Sequence, residues 1–162
     1  MRRLRCWCGA DIKLGKREEM NAILDFDLFC SAECLVEYIK TATKAKTLIT
    51  KHPSKVNYDF QHYDFTTKRL YRSFFEVWLA RCFYKNNITF EYEPHSFFVG
   101  GRYYTPDFYI PEKEIYIECK GLWNNGGRKK VKDLNEKTHL LLLPSYFQKY
   151  LRSYSKKEDS IK

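Results

Sequence analysis

Pro106-Asp107-Phe108-Tyr109-Ile110, and after Pro111 to Glu114 the run Ile115-Tyr116-Ile117-Glu118-Cys119-Lys120, set the frame around which the rest of the chain is arranged. Phe108 to Ile110 and Ile115 to Cys119 have the aromatic and β-branched content of strands, and the proline-led residues between them predict a hairpin-like turn. Strand alternation places Glu118 and Lys120 on one face and turns Cys119 to the other. Asp107, at the end of the neighbouring strand, comes within reach of that face. An acid and a base two residues apart are, by themselves, ordinary surface charge pairing. Tyr116 and Ile117, however, imply a partly buried strand, which has little reason to hold Glu and Lys unless they are paired or functional.

That spacing has a chemical use. Asp107 and Glu118 offer hard carboxylate oxygens suited to Mg²⁺ (or Mn²⁺), and the backbone carbonyl of Cys119 offers a third protein oxygen. A metal held there polarises a phosphate and lowers the pKa of a coordinated water. Lys120 is placed to orient that water and to offset charge developing on the phosphorus centre.

Outward from the hairpin, Thr66 to Tyr84 carries apolar residues at Leu70, Phe74, Val77, Trp78 and Phe83, a helical spacing closed by Asn86-Asn87. Ile88 to Tyr92 and Ser96 to Val99 predict strands, with Gly100-Gly101 as a turn. Lys129 to Lys137 predicts a polar helix, His139 to Leu143 a buried strand, and Ser145 to Tyr154 a last amphipathic helix. The order predicts an α/β fold, a mixed sheet flanked by helices.

The N-terminal part is of another kind. Cys6-Trp7-Cys8-Gly9 is followed, after a long insert, by Phe29-Cys30-Ser31-Ala32-Glu33-Cys34. Leu35, Val36 and Ile39 continue at helical spacing, which puts Cys30 and Cys34 in the first turn of a helix. Cys6 and Cys8 belong to a tight turn relaxed by Gly9. Four thiolates so grouped predict a structural Zn²⁺ site of treble-clef-like spacing, with the metal contributing folding energy that so short a segment lacks. Cys82 and Cys119 are expected to be reduced core residues. The polar stretch from Lys40 to Phe65 gives the best boundary. The expected division is 1–45 zinc-binding module, 46–65 connector, 66–154 main domain and 155–162 basic tail.

The 29 basic and 20 acidic residues give a net charge of +9, and the last segment, from Gly121 to Lys162, is the most basic. Such a balance favours polyanionic partners, nucleic acid above all. No apolar run approaches the roughly 20 residues that span a bilayer, so no membrane role and an intracellular, cytoplasmic location are expected.

Several short motifs occur in one order: Arg72-Ser73 then Glu76; Ile88-Thr89-Phe90-Glu91-Tyr92-Glu93; Tyr104-Thr105-Pro106-Asp107-Phe108; and Glu118-Cys119-Lys120-Gly121-Leu122-Trp123 then Arg128-Lys129-Lys130. In these, residues 66 to 150 resemble the phage endonuclease I family, Holliday-junction resolvases of the PD-(D/E)xK nuclease group. The resemblance implies a restriction-endonuclease-like core in which Glu76 joins Asp107 and Glu118 around the metal, with Lys120 as the strand lysine. Without it, Glu76 reads as a helix-surface carboxylate. It further implies a homodimer with exchanged strands, the segment from Phe90 to Gly101 crossing to the partner, and a phage protein acting in its host cell. Arg72, Arg128, Lys129, Lys130 and Lys132 are the candidate DNA contacts. The zinc module departs from the family pattern and bears on substrate choice. The expected activity is Mg²⁺-dependent hydrolysis of branched DNA. The alternatives are a site-specific homing, restriction or transposon-end nicking enzyme guided by the zinc module, and a non-catalytic zinc protein that binds DNA.

Overall fold

The computed structural model describes residues 4–12, 26–56, 62–121 and 127–160. Leu122 and Trp123 of the quoted motif and the last two residues of the expected tail lie outside them.

The centre is a four-stranded sheet. Strands β6 (Glu91–Tyr92), β9 (Phe108–Ile110), β10 (Ile115–Lys120) and β11 (His139–Pro144) stand in the order β11-β10-β9-β6. β10 pairs antiparallel with β9 and parallel with β11, so the sheet is mixed, as expected. Both faces are covered, which is why the run Leu140 to Leu143 is uniformly apolar. Ile115, Ile117, Leu141 and Leu143 face one core cluster, while Tyr116, Leu140 and Leu142 face the other.

On the first face lie helices α1 (Ala32–Thr41), α2 (Phe74–Lys85) and α4 (Gln148–Asp159), which supply Leu35, Ile39, Leu79, Phe83 and Leu151 to that core. The second face is closed by α3 (Gly127–Asn135), through Val131 and Leu134, and by the hairpin of β7 (His95–Val99) with β8 (Arg102–Tyr104), through Phe97 and Val99. Gly100 and Gly101, both at positive φ, make the turn of that hairpin.

The cysteine-bearing segment is docked into both cores. β1 (Leu4–Arg5) and β2 (Asp11–Ile12) form a small hairpin whose Leu4 and Ile12 pack on the second face, whereas Phe29 and α1 pack on the first. Tyr38 Oη lies 2.7 Å from Nε2 of His139 at the start of β11, and Tyr146 Oη donates to the Phe29 carbonyl at 3.0 Å.

Three local expectations are corrected. The helical spacing counted from Thr66 is misleading: β4 (His62–Asp64) and β5 (Arg69–Tyr71) form a hairpin, and the helix begins only at Phe74 behind its cap, Ser73. Leu70 and Phe74 matched the helical period but are exposed. Ile88 to Phe90 is irregular, and only Glu91–Tyr92 pairs as a strand, although Ile88 and Phe90 still pack on the core. The last helix runs through Ser155, which is buried, to Asp159, after a 3-10 turn at Ser145–Phe147. Within the connector, β3 (His52–Pro53) pairs with β7.

Candidate active site

The hairpin register explains the spacing of the acids. Ile115 pairs with Ile110, Tyr116 with Tyr109 and Ile117 with Phe108, so the next step along the ladder brings Glu118 beside Asp107. The Cys119 amide donates to Asp107 Oδ2 at 2.7 Å, fixing that carboxylate at the end of β9. Lys120 Nζ stands 3.7 Å from Glu118 Oε1, so these two do share a strand face. The Cys119 side chain turns to the opposite face and packs on the first core, where burial pushes its thiol well above the usual range.

Glu76 arrives from α2. Ser73 caps that helix by accepting from the Glu76 amide at 3.3 Å, so Ser73 and Glu76 occupy the ends of a capping-box sequence. The Glu76 carboxylate reaches back over the helix start. Its Oε2 accepts from the Arg72 amide at 3.1 Å and from the Tyr92 hydroxyl. A carboxylate at this position is favoured by the helix dipole.

The three acids are buried together, at 7% exposure for Glu76, 5% for Asp107 and 7% for Glu118. Burial, then repulsion by Glu118 and Glu76, pushes the Asp107 carboxyl well above the carboxylate range. Burial also pushes Glu118 up to about 7, against the opposing pull of Lys120. Neighbouring acids shifted this way, chiefly by burial and then by repulsion, mark a place suited to a cation. Glu118 Oε2 is buried without a hydrogen-bond partner. The buried Tyr104 hydroxyl is near enough for the two groups to perturb each other, yet it lacks hydrogen-bond geometry to Glu118. An orphaned carboxylate oxygen beside a second carboxylate fits a hard divalent cation. The three carboxylates do not converge as closely as metal ligands do, because Asp107 is drawn to the Cys119 amide and Glu76 to Tyr92 and Arg72.

Two further residues belong to this place and were not singled out by sequence reasoning. Glu93, only 4% exposed, binds the Arg72 guanidinium, and its own amide donates to the Asp107 carbonyl at 2.8 Å. Its backbone has a φ of +49°, an uncommon conformation for glutamate. Tyr92, beside it, holds Glu76. Both residues end the motif Ile88 to Glu93, but nothing in that pattern says that either side chain points inward.

Of the expected DNA contacts, Arg72 is brought into the acid cluster, 3.8 Å from Asp107 Oδ1 as well as against Glu93. The others are on α3. Arg128, Lys129 and Lys132 are exposed there, and Lys130 is half-buried with its stem beside Gly100.

The four N-terminal cysteines form a second chemical group. Among the described residues they are the one set of three or more potential ligands whose donor atoms all lie within 4.8 Å of one another. The Cys8 and Cys30 sulfurs are 3.7 Å apart and those of Cys30 and Cys34 are 3.5 Å apart. A tetrahedron with sulfurs about 2.3 Å from its centre has edges of about 3.8 Å, so the set can hold a metal ion. Gly9, at φ +91°, closes the turn that presents Cys6 and Cys8. Cys30 precedes the helix rather than lying in its first turn, because Ser31 takes the cap and accepts from the Cys34 amide at 3.1 Å. The Cys6 sulfur accepts from the amides of Cys8 and Cys30, at 3.5 and 3.2 Å. Cys8 is lowered to about 7, chiefly by a backbone hydrogen bond at Ala10.

Against known proteins, the chain is 38% identical over 69 residues to endodeoxyribonuclease 1 of Enterobacteria phage T3. Over that stretch the two are related. The match covers 40% of this chain and 45% of the phage protein, so this chain spans under half the length of its relative. No family model matches the chain, and no solved structure does. Among the described residues, no helix is long and apolar enough to cross a membrane.

Proposed function

We propose that this chain is a Mg²⁺-dependent (or Mn²⁺-dependent) endodeoxyribonuclease with a PD-(D/E)xK-type core, selective for four-way junctions and other branched DNA. The observation that carries the proposal is the gathering of Glu76, Asp107, Glu118 and Lys120 at the open end of β10, with one buried Glu118 oxygen left without a partner. The partial likeness to a phage endodeoxyribonuclease supports the substrate class.

Glu76, Asp107, Glu118 and the Cys119 carbonyl would hold the metal, which when bound supplies a polarised phosphate and a water of lowered pKa. Lys120 orients that water and offsets charge on the phosphate oxygens in the transition state. Arg72, held by Glu93 against Asp107, lies beside the acids and neutralises the approaching phosphate. Tyr92 and Ser73 keep Glu76 aimed inward. Arg128, Lys129, Lys130 and Lys132 contact the DNA backbone farther out. The cysteine set is a structural Zn²⁺ site, since the helix it anchors is part of the main core. A two-fold dimer with two such sites accounts for matched cuts on two strands. The segment from Phe90 to Gly101, which pairs here within its own chain, is the one that would be exchanged in it.

The test offers purified protein a labelled four-way junction, a linear duplex of the same sequence and a mixed-sequence plasmid, each with Mg²⁺ or with chelator. Metal-dependent cutting confined to the junction is expected. A single cut position on linear duplex would instead establish a site-specific enzyme.

A further inference from the structure

On the α2–α4 side of the molecule an open cleft begins at Ser145 and Gln148 and continues along α4 to Lys156, with Trp78 of α2 as its other wall. Its inner end adjoins the catalytic strand, because a Cβ placed on Gly121, which follows Lys120 directly, would meet the Gln148 side-chain nitrogen at 4.0 Å. Lys149, Arg152 and Lys156 all line the cleft, and among the described residues no acidic one does. Their spacing of three and four residues puts them on one helix face over about 10 Å, the axial length of about three phosphates in one strand.

The opposite wall is aromatic. Trp78 is stacked on Phe74, with ring centroids 6.1 Å apart and planes 23° from parallel. Phe74 is 57% exposed and also lies against the His62 ring at 4.1 Å. A half-buried ring facing a basic row, with an exposed ring stacked on it, is an arrangement suited to holding unpaired nucleotides. Cations track the phosphates and flat rings receive bases that have no partner strand. A duplex offers its phosphates but keeps its base faces stacked internally, so it can use only half of this surface.

We propose that this cleft is a binding track for single-stranded nucleic acid leaving the active site, with Lys149, Arg152 and Lys156 on the phosphates and the Phe74–Trp78 pair stacking an unpaired base. The track deepens the nuclease proposal and rests on it. It gives a physical reason for preferring flaps and other branches that carry a single strand over linear duplex, because there unpaired bases lie beside a scissile strand.

The test uses the full chain carrying Glu118→Gln, so that DNA stays intact, and measures anisotropy of labelled oligo-dT and of a linear duplex at several salt concentrations. Phe74→Ala is expected to weaken oligo-dT binding about tenfold and duplex binding less than twofold. Combined Lys149→Ser, Arg152→Ser and Lys156→Ser should flatten the log–log salt dependence for oligo-dT by about 2. Oligo-dT should quench tryptophan emission, and Trp78→Phe should abolish that component. Circular dichroism checks that each variant is folded. Unchanged oligo-dT binding in folded Phe74→Ala and in the triple variant would overturn the proposal. So would equal losses for oligo-dT and duplex in Phe74→Ala, or a dimer that dissociates on Phe74→Ala while oligo-dT binding is kept, since the patch would then be a self-interface. The readout is binding alone, so failure here is separable from failure of the nuclease proposal, which is read from cutting by the unmodified chain.

Discussion

At Glu118 the carboxyl is held near 7 by burial and beside a second acid, Asp107, shifted the same way. A carboxyl whose folded pKa exceeds its unfolded value binds more protons in the native state. Folding stability should therefore fall as pH rises from the ordinary glutamate range, near 4.5, through about 7. Urea denaturation of metal-stripped protein at pH 5 and pH 8 should show that loss, and Glu118→Gln should shrink it. Glu93 gives a prediction of a different kind. It is a nearly closed-off carboxylate holding a partly exposed guanidinium, so Glu93→Gln should cost about 1–3 kcal/mol in denaturation. The same change should lower cutting by freeing Arg72, and the catalytic part should show as a fall in kcat larger than any change in KM. Glu93 was hidden in the sequence because its inward direction depends on the left-handed backbone at that one residue. Asp107, Glu118 and Lys120 were legible because a hairpin leaves side-chain direction no freedom once its register is set.

Among the elements, α2 shows how local chemistry positions a distant group. Ser73 starts the helix, the helix start receives the Glu76 carboxylate, and Tyr92 of β6 holds it from the side. Ser73→Ala should cost about 1 kcal/mol of stability, measured by urea denaturation. It should also reduce cutting severalfold, because Glu76 loses its fixed approach. The hairpin β4–β5 was the element least visible beforehand. Its Leu70 and the exposed Phe74 fall on a helical period, and no glycine marks the turn. Lys68 instead takes the positive φ of 54° that glycine usually supplies. β9, β10 and β11 were readable because both faces of the sheet are covered, so their apolar content is nearly continuous. The length of α4 was not, since its last turns are rich in lysine, although Tyr154 and Ser155 are held against the body.

For the molecule as a whole, the cysteine-bearing segment shares its cores with the sheet. Phe29, Leu35 and Ile39 sit in one cluster with Phe83 and Leu143, and Leu4 and Ile12 sit in the other with Tyr116 and Leu142. Stripping zinc should therefore lower the melting temperature of the entire protein in a single transition, not melt a separate appendage. Elemental analysis should find about one zinc per chain, and Cys30→Ser should lose it. The net charge of +9 adds a long-range attraction for DNA that weakens with salt, so cutting at low substrate concentration should slow steeply as salt rises. In the proposed function three buried acids and one lysine work together on a phosphodiester through a divalent cation. The most direct measurement is cleavage of a labelled four-way junction by the unmodified chain and by folded Glu118→Gln, with Mg²⁺ and without. The account predicts cutting only by the unmodified chain with Mg²⁺, and a loss on the order of a thousandfold in the variant despite intact junction binding. Equal cutting by the two proteins, or cutting that ignores the metal, would contradict it.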